Sequence, residues 1–259
     1  IGLAAWPLVA RIVPQFHDRG YALAKGLGLV VVSYLVWIGA SLRVAANSPP
    51  NAWLAVAALG VGSFFLWRRQ RPGLADERPR ARRLIWLEEG LFTLAFLAFV
   101  GLRVLNPDLW QPWFGGEKQM EIAILNALTK SAYMPPYDPY FAGGYLNYYY
   151  YGQFIAALLI KLTGLPPEIG FNLAVPTFFA LTVSHVFVVG YHLAALMDGT
   201  RRRAAAPDGE LLADGGGIAA PMAGAVAAPA VSRAGLWGGG AAAMLVAVMG
   251  ILSGVVQVL

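Results

Sequence analysis

Residues Trp113 to Gln153 read WFGGEKQMEIAILNALTKSAYMPPYDPYFAGGYLNYYYYGQ. This is the longest polar-bearing interruption between apolar runs, and it closes on four consecutive tyrosines, Tyr148 to Tyr151. The runs on either side are long, apolar and nearly free of charge. That pattern assigns the flanks to a membrane and the quoted stretch to a loop held between spans.

Composition agrees with the assignment. The 259 residues are 58% hydrophobic and 13% charged, with a mean hydropathy of +0.58. A soluble domain carries about a quarter charged residues. The chain therefore reads as an all-α, multi-pass membrane protein whose surroundings are membrane lipids. The absence of cysteine excludes disulfides and thiolate chemistry. His17, His185 and His192 are scattered without metal-ligand spacing. The net charge of +5 comes mainly from arginines in short loops, where they set topology, so no nucleic-acid partner is implied. Both ends fall inside apolar runs, and the chain is expected to be the N-terminal part of a longer protein. No charged segment or small-residue cleavage site marks the first run as a signal peptide.

Outward from the loop, the expected spans are Tyr21 to Leu42, Ala52 to Trp67 and Leu84 to Leu105 before it. Tyr145 to Leu162, Phe171 to Met197 and Leu236 to Leu259 follow it. With the short run Ile1 to Val13, this makes about six to seven spans. Three regions result: N-terminal helices at 1–105, an outer loop at 106–150, and further helices at 151–259 with a flexible Ala/Gly-rich loop near 198–235. The connection Arg68 to Arg83 holds seven arginines against Asp76 and Glu77, which makes it cytoplasmic. Alternation then puts the quoted loop outside. It also puts Arg201 to Arg203 outside, against the positive-inside rule. The reading adopted is that this loop breaks the rule; the alternative is a re-entrant Tyr145 to Leu162.

Within the loop, Glu117 to Lys130 contains no helix breaker and is expected to be a short helix. Glu117 and Glu121, four residues apart, share one face. Two carboxylates packed near a membrane surface need a cation, a metal or a raised pKa, which makes them candidates for chemistry. A first-turn glutamate also simply complements the helix dipole. Asp138 is presented rigidly by Pro136 and Pro139. Of the four tyrosines, two read as an aromatic belt. The others, with Asn147, bring polar groups near the carboxylates, where they could bind a sugar or a phosphate.

The motifs GGEKxME (Gly115 to Glu121), PPxDP (Pro135 to Pro139) and GGxLNYYYYG (Gly143 to Gly152) together resemble the YYY-type polytopic membrane protein family, domain of unknown function 2298. Asp18 to Trp37 and Leu162 to Ala174 also look like its N-terminal region. The resemblance spans nearly the whole chain except the Ala/Gly-rich insert. That family is in turn similar to the GT-C glycosyltransferases, which use polyprenyl-phosphate-linked sugars. The resemblance implies a GT-C-like helix bundle in the plasma membrane that transfers such a sugar to an acceptor on the outer face. It implies Glu117 as general base or metal ligand, with Glu121 and Asp138 as further catalytic candidates. Lys118 would meet the lipid phosphate as a point charge. Asn147, Tyr148, Tyr149 and Arg103 would contact substrate. A divalent ion, Mg or Mn, would be held by Glu117 and Asp138 if one is used. Glu stands where Asp is more usual, which weakens the metal role more than the base role. The alternative is a non-catalytic transporter or scaffold subunit.

Three expectations concern polar groups in the spans. His185 should be a neutral histidine bonded to a neighbouring helix. Glu88 and Glu89 should pair with Arg82 and Arg83. Arg103 should snorkel outward or face the loop.

Overall fold

In a membrane the backbone must satisfy its own hydrogen bonds, and a helix does so within one segment. The described chain is accordingly helical: α1 (Gly2–Ile12), α2 (Tyr21–Ser41), α3 (Pro49–Gln70), α4 (Arg78–Leu105), α5 (Gly116–Lys130), α6 (Tyr151–Thr163), α7 (Pro167–Ala204) and α8 (Arg233–Val258). The structure is a computed structural model and describes residues 1–70, 78–105, 116–204 and 231–258; the side chains at 70, 78–81, 116, 201–204 and 249–258 are outside that description. The middle of the Arg-rich connection, the start of the outer loop at 106–115, most of the Ala/Gly-rich loop and the Gln257 side chain therefore lie outside the described residues.

Among the described residues, four helices are long and apolar enough to cross a membrane: Tyr21–Ser41, Pro49–Arg69, Arg82–Leu105 and Pro167–Thr200. α1, α6 and the described part of α8 are apolar but shorter. Three contacts set how the helices run. Asp18, just before α2, meets His192 near the far end of α7 at 2.9 Å. Lys25, early in α2, pairs with Glu89, early in α4, at 2.7 Å. Arg103, in the last turn of α4, donates through Nε to Oδ1 of Asn172, early in α7, at 3.0 Å. So α2 and α4 run parallel and α7 runs back. The exit of α4 and the entry of α7 lie at one end of the bundle, and everything between them begins and ends there.

This corrects the expected span at Tyr145 to Leu162. α6 has 13 residues, which is about 20 Å of helix against about 30 Å of hydrocarbon. Its first turn lies beside the later half of α2, where Trp37 Nε1 donates to the Tyr150 hydroxyl at 3.3 Å and the Ser33 and Tyr151 hydroxyls are 3.0 Å apart. Its last turn is tied near the start of α3, where Lys161 Nζ donates to the carbonyl of Asn47 at 2.5 Å. Residues 145–150 are not helical; Leu146 N–H instead donates to the Pro136 carbonyl at 3.0 Å. α6 therefore returns to the side it came from.

The arginine conflict disappears with it. The C-terminal end of α7, which carries Arg201 to Arg203, lies on the same side as Arg68 and Arg69 at the end of α3 and Arg82 and Arg83 near the start of α4. One side of the bundle holds the arginine clusters, so the positive-inside bias is met without an exception.

Two cores hold the bundle. Val32, Leu125, Leu128, Phe154 and Leu158 belong to the first, which fixes α5 and α6 onto α2. Leu84, Val183, Val188 and Tyr191 belong to the second, which joins α4, α7 and α8. The Gly-rich α8 packs as closely as its composition leads one to expect. A Cβ at Gly239 would sit 2.7 Å from the Phe187 carbonyl oxygen, so only glycine lets the two backbones meet there.

Candidate functional site

The expected short helix is present as α5, 15 residues long. Its apolar face, with Ile124, Leu125, Ala127 and Leu128, is buried in the first core. That burial fixes the rotation of the helix. Glu117 is left exposed in the first turn, with Glu121 half-buried one turn on and Lys118 half-buried beside them. Residues four apart on a helix have Cβ atoms about 6 Å apart, so the two carboxylates face one small region.

The far end of α5 is clamped by Asn47, a residue that the sequence pattern does not single out. Its buried amide nitrogen donates to the carbonyls of Leu128 at 2.9 Å and Ser131 at 3.1 Å. Its backbone N–H donates to the carbonyl of Ala132 at 2.7 Å. These bonds satisfy carbonyls at the helix end that no intrahelical donor reaches. They also tie α5 to the α2–α3 connection.

The tyrosine run divides two and two. Tyr150 and Tyr151 are partly buried against α2 through the Trp37 and Ser33 bonds already described. Tyr148 and Tyr149 are exposed and stacked, with ring centroids 4.0 Å apart and a hydroxyl–hydroxyl hydrogen bond of 2.6 Å. Tyr148 lies within electrostatic reach of both Glu117 and Glu121. Its hydrogen bond to Tyr149, then desolvation, then the charges of Tyr149 and the two glutamates push its phenol up to about 12. Burial, and then the neighbouring Glu117, raise the Glu121 carboxyl above the ordinary range. Glu117, Glu121, Tyr148 and Tyr149 thus form one patch of carboxylates and phenols.

The remaining candidates are engaged locally. Asp138 sits in a tight hairpin closed by the Tyr137–Tyr145 bridge. Its Oδ1 accepts the Tyr140 N–H at 2.8 Å, and its own N–H donates to the Gly144 carbonyl at 3.0 Å. Arg103 is held by Asn172 through both Nε and a terminal nitrogen. Asn147 is exposed. Among the described residues no three of His, Cys, Asp and Glu come together as a metal-binding group.

A second polar cluster lies at the opposite end of the bundle, built from the α1–α2 turn, α2, α4 and α7. Asp18 and Glu88 are fully buried in it, and His192 nearly so. The expected pairing of Glu88 and Glu89 with Arg82 and Arg83 is overturned. Those arginines are exposed, Glu89 pairs with Lys25 across to α2, and neither oxygen of Glu88 has a partner. The helical turn explains this: residues 82 and 83 lie at the solvated start of α4, whereas Glu88 points into the bundle. His185 meets its expectation, with Nε2 3.1 Å from the Ala22 carbonyl on α2. A lone charged residue inside a span is the sequence signal for such a cluster; its partners lie too far along the chain to be paired by spacing.

No curated protein and no solved structure matches the chain. The family model described as an uncharacterized membrane protein, DUF2298, matches residues 31–259, which takes in the outer loop and α3 to α8. The chain belongs to this family of membrane proteins.

Proposed function

We propose that the α5 patch is the acceptor-activating part of a membrane glycosyltransferase that works on a polyprenyl-phosphate-linked sugar at the outer face. The observation that carries this reading is the meeting of an exposed carboxylate, Glu117, with a half-buried one, Glu121, beside the stacked pair Tyr148–Tyr149. Two carboxyl groups whose surroundings differ divide naturally between proton acceptor and proton holder. Glu117 takes the proton of the acceptor hydroxyl as its oxygen bonds to the anomeric carbon, and the lipid phosphate leaves with the bonding pair. Glu121, its carboxyl raised by burial and by Glu117, keeps a proton more readily and donates a hydrogen bond to the sugar. The tyrosine rings offer a flat face for the sugar and hydroxyls for its edges. Lys118, on the same turn as Glu117, supplies positive charge for the phosphate. No step is assigned to a metal.

The test is transfer from a polyprenyl-phosphate sugar by the full-length protein in membranes. Glu117→Gln should lower the rate by about 10²–10⁴-fold, the usual loss for a general base, with unchanged expression. Full activity in that variant would remove Glu117 from the site. A second reading, a non-catalytic transporter or scaffold whose outer loop docks a partner, is favoured by the local bonding of Asp138 and Arg103. It predicts no transfer by the wild type under any donor.

A further inference from the structure

The cluster at the arginine-bearing end is independent of the outer loop. Glu88 has a relative exposure of 1%, and neither carboxyl oxygen has a hydrogen-bond partner. Several donors of the cluster are engaged elsewhere. Lys25 is bound to Glu89 at 2.7 Å and lies 4.3 Å from the centre of the Phe92 ring. His192 Nε2 is directed at Asp18 Oδ1, 2.9 Å away, and the Ala22 N–H at Asp18 Oδ2, 3.4 Å away. The titratable and charged groups facing Glu88 are Asp18 from the turn before α2, Tyr21 and Lys25 from α2, Glu89 from α4 itself, and Tyr191 from α7. His185 and His192 of α7 stand next to Lys25 and Asp18. Two of these neighbours are carboxylates, and the one ammonium is shared.

An unpaired carboxylate in such a place carries a heavy desolvation cost, while a carboxyl that holds a proton is neutral and gains a donor of its own. Titratable side chains also line the way from the surface towards it. His17 is exposed and stacks on His192 with ring centroids 5.5 Å apart, and His192 in turn meets Asp18. We propose that Glu88 is a proton-binding site, filled from the arginine-bearing side through His17, His192 and Asp18. The ligand is the proton alone. Uptake converts the carboxylate to a carboxylic acid with no other bond made or broken. Chains of acidic groups and histidines in this position serve proton-coupled movement in membrane proteins, so the bundle gains a proton-linked step distinct from any chemistry at α5.

Infrared spectroscopy of the full chain in lipid membranes tests this at neutral pH. The wild type should show the carbonyl band of a buried protonated carboxylic acid. Glu88→Gln should lose that component, and Glu89→Gln should keep it. His17→Ala should retain the band but slow its shift on transfer to heavy water. The idea fails if the wild type lacks the band, or if the band survives Glu88→Gln unchanged. It fails equally if Glu88→Gln prevents folding, because glutamine reproduces the shape and hydrogen bonding of the protonated acid and should be tolerated.

Discussion

The two polar regions of this bundle are built in opposite ways. The α5 patch comes from two neighbouring stretches of chain, residues 117–121 and 148–149, and its groups are exposed or half-buried. The cluster around Asp18 draws on residues 18, 25, 88, 89, 185 and 192, and its central groups are buried. Water can solvate the first region, so a substitution there need not disturb the fold and can act directly on binding or chemistry. The second has replaced water with protein partners, so each partner is also structural. The contrast teaches where to look for each kind of effect: function without instability at α5, instability first at Asp18.

The sharpest way to break the comparison is His192→Ala. It leaves Asp18 buried with one oxygen unpartnered and empties the space beneath Phe16, whose ring stacks on His192 at 3.9 Å. Breaking one side of a buried pair costs about 3–5 kcal/mol, so thermal or denaturant unfolding in detergent should show a large loss. Adding Asp18→Ala should cost much less than its separate effect, since the pair acts as a unit. If His192→Ala were neutral, the Asp18 cluster would be as solvated as the outer patch and the contrast would collapse.

A smaller effect is expected where the outer region is anchored. Asn47→Ala removes the two amide bonds to Leu128 and Ser131 and leaves buried carbonyls without donors, a loss of about 1–3 kcal/mol. The loss should be local. Hydrogen exchange should quicken at the C-terminal turn of α5 and in residues 131–134, while α7 and α8 stay protected. Uniform loosening of the whole bundle would mean that the Asn47 bonds support both cores rather than the end of α5 alone.

Hydropathy made the helical membrane class readable, and α5 was readable because its glycine start and unbroken run are local signals. The tyrosines divide two and two for a reason the sequence does not carry: Tyr148 to Tyr150 precede α6 rather than lying on it. The length of α6 is hidden from the sequence for a physical reason. Tyr145 to Leu162 is apolar enough to span, but hydropathy cannot tell that Leu146 pairs with Pro136 instead of entering a helix. Once that pairing shortens the helix, the side on which Arg201 to Arg203 lie follows. The surroundings of Glu88 and Glu89 are not legible in the sequence, because Arg82 and Arg83 are near in the chain while Lys25 is distant in sequence and adjacent in space. Asn47 had no signal at all, since a single asparagine in a short loop is ordinary until the helix end it caps is in view.

The smallest effect tests whether the outer patch is electrostatically coupled at all. Burial and the nearby Glu117 raise the Glu121 carboxyl in the folded chain above its unfolded value. A raised carboxyl binds its proton more tightly when folded. Its contribution to stability is therefore fully present below the unfolded value of about 4.3 and is lost as pH rises through the higher folded value. The group is only half-buried, so solvent screening holds the effect to under about 1 kcal/mol. Unfolding of the wild type should show a shallow decline in stability as pH rises above about 4.3, superimposed on the rest of the profile. Glu121→Gln should flatten that decline, because it removes the titrating group while keeping the shape. Glu117→Gln should flatten it only partly, since burial, the larger cause, remains. Equal flattening by both variants would mean that repulsion between the two carboxylates, and not the packing of α5 against the bundle, sets the behaviour of the patch.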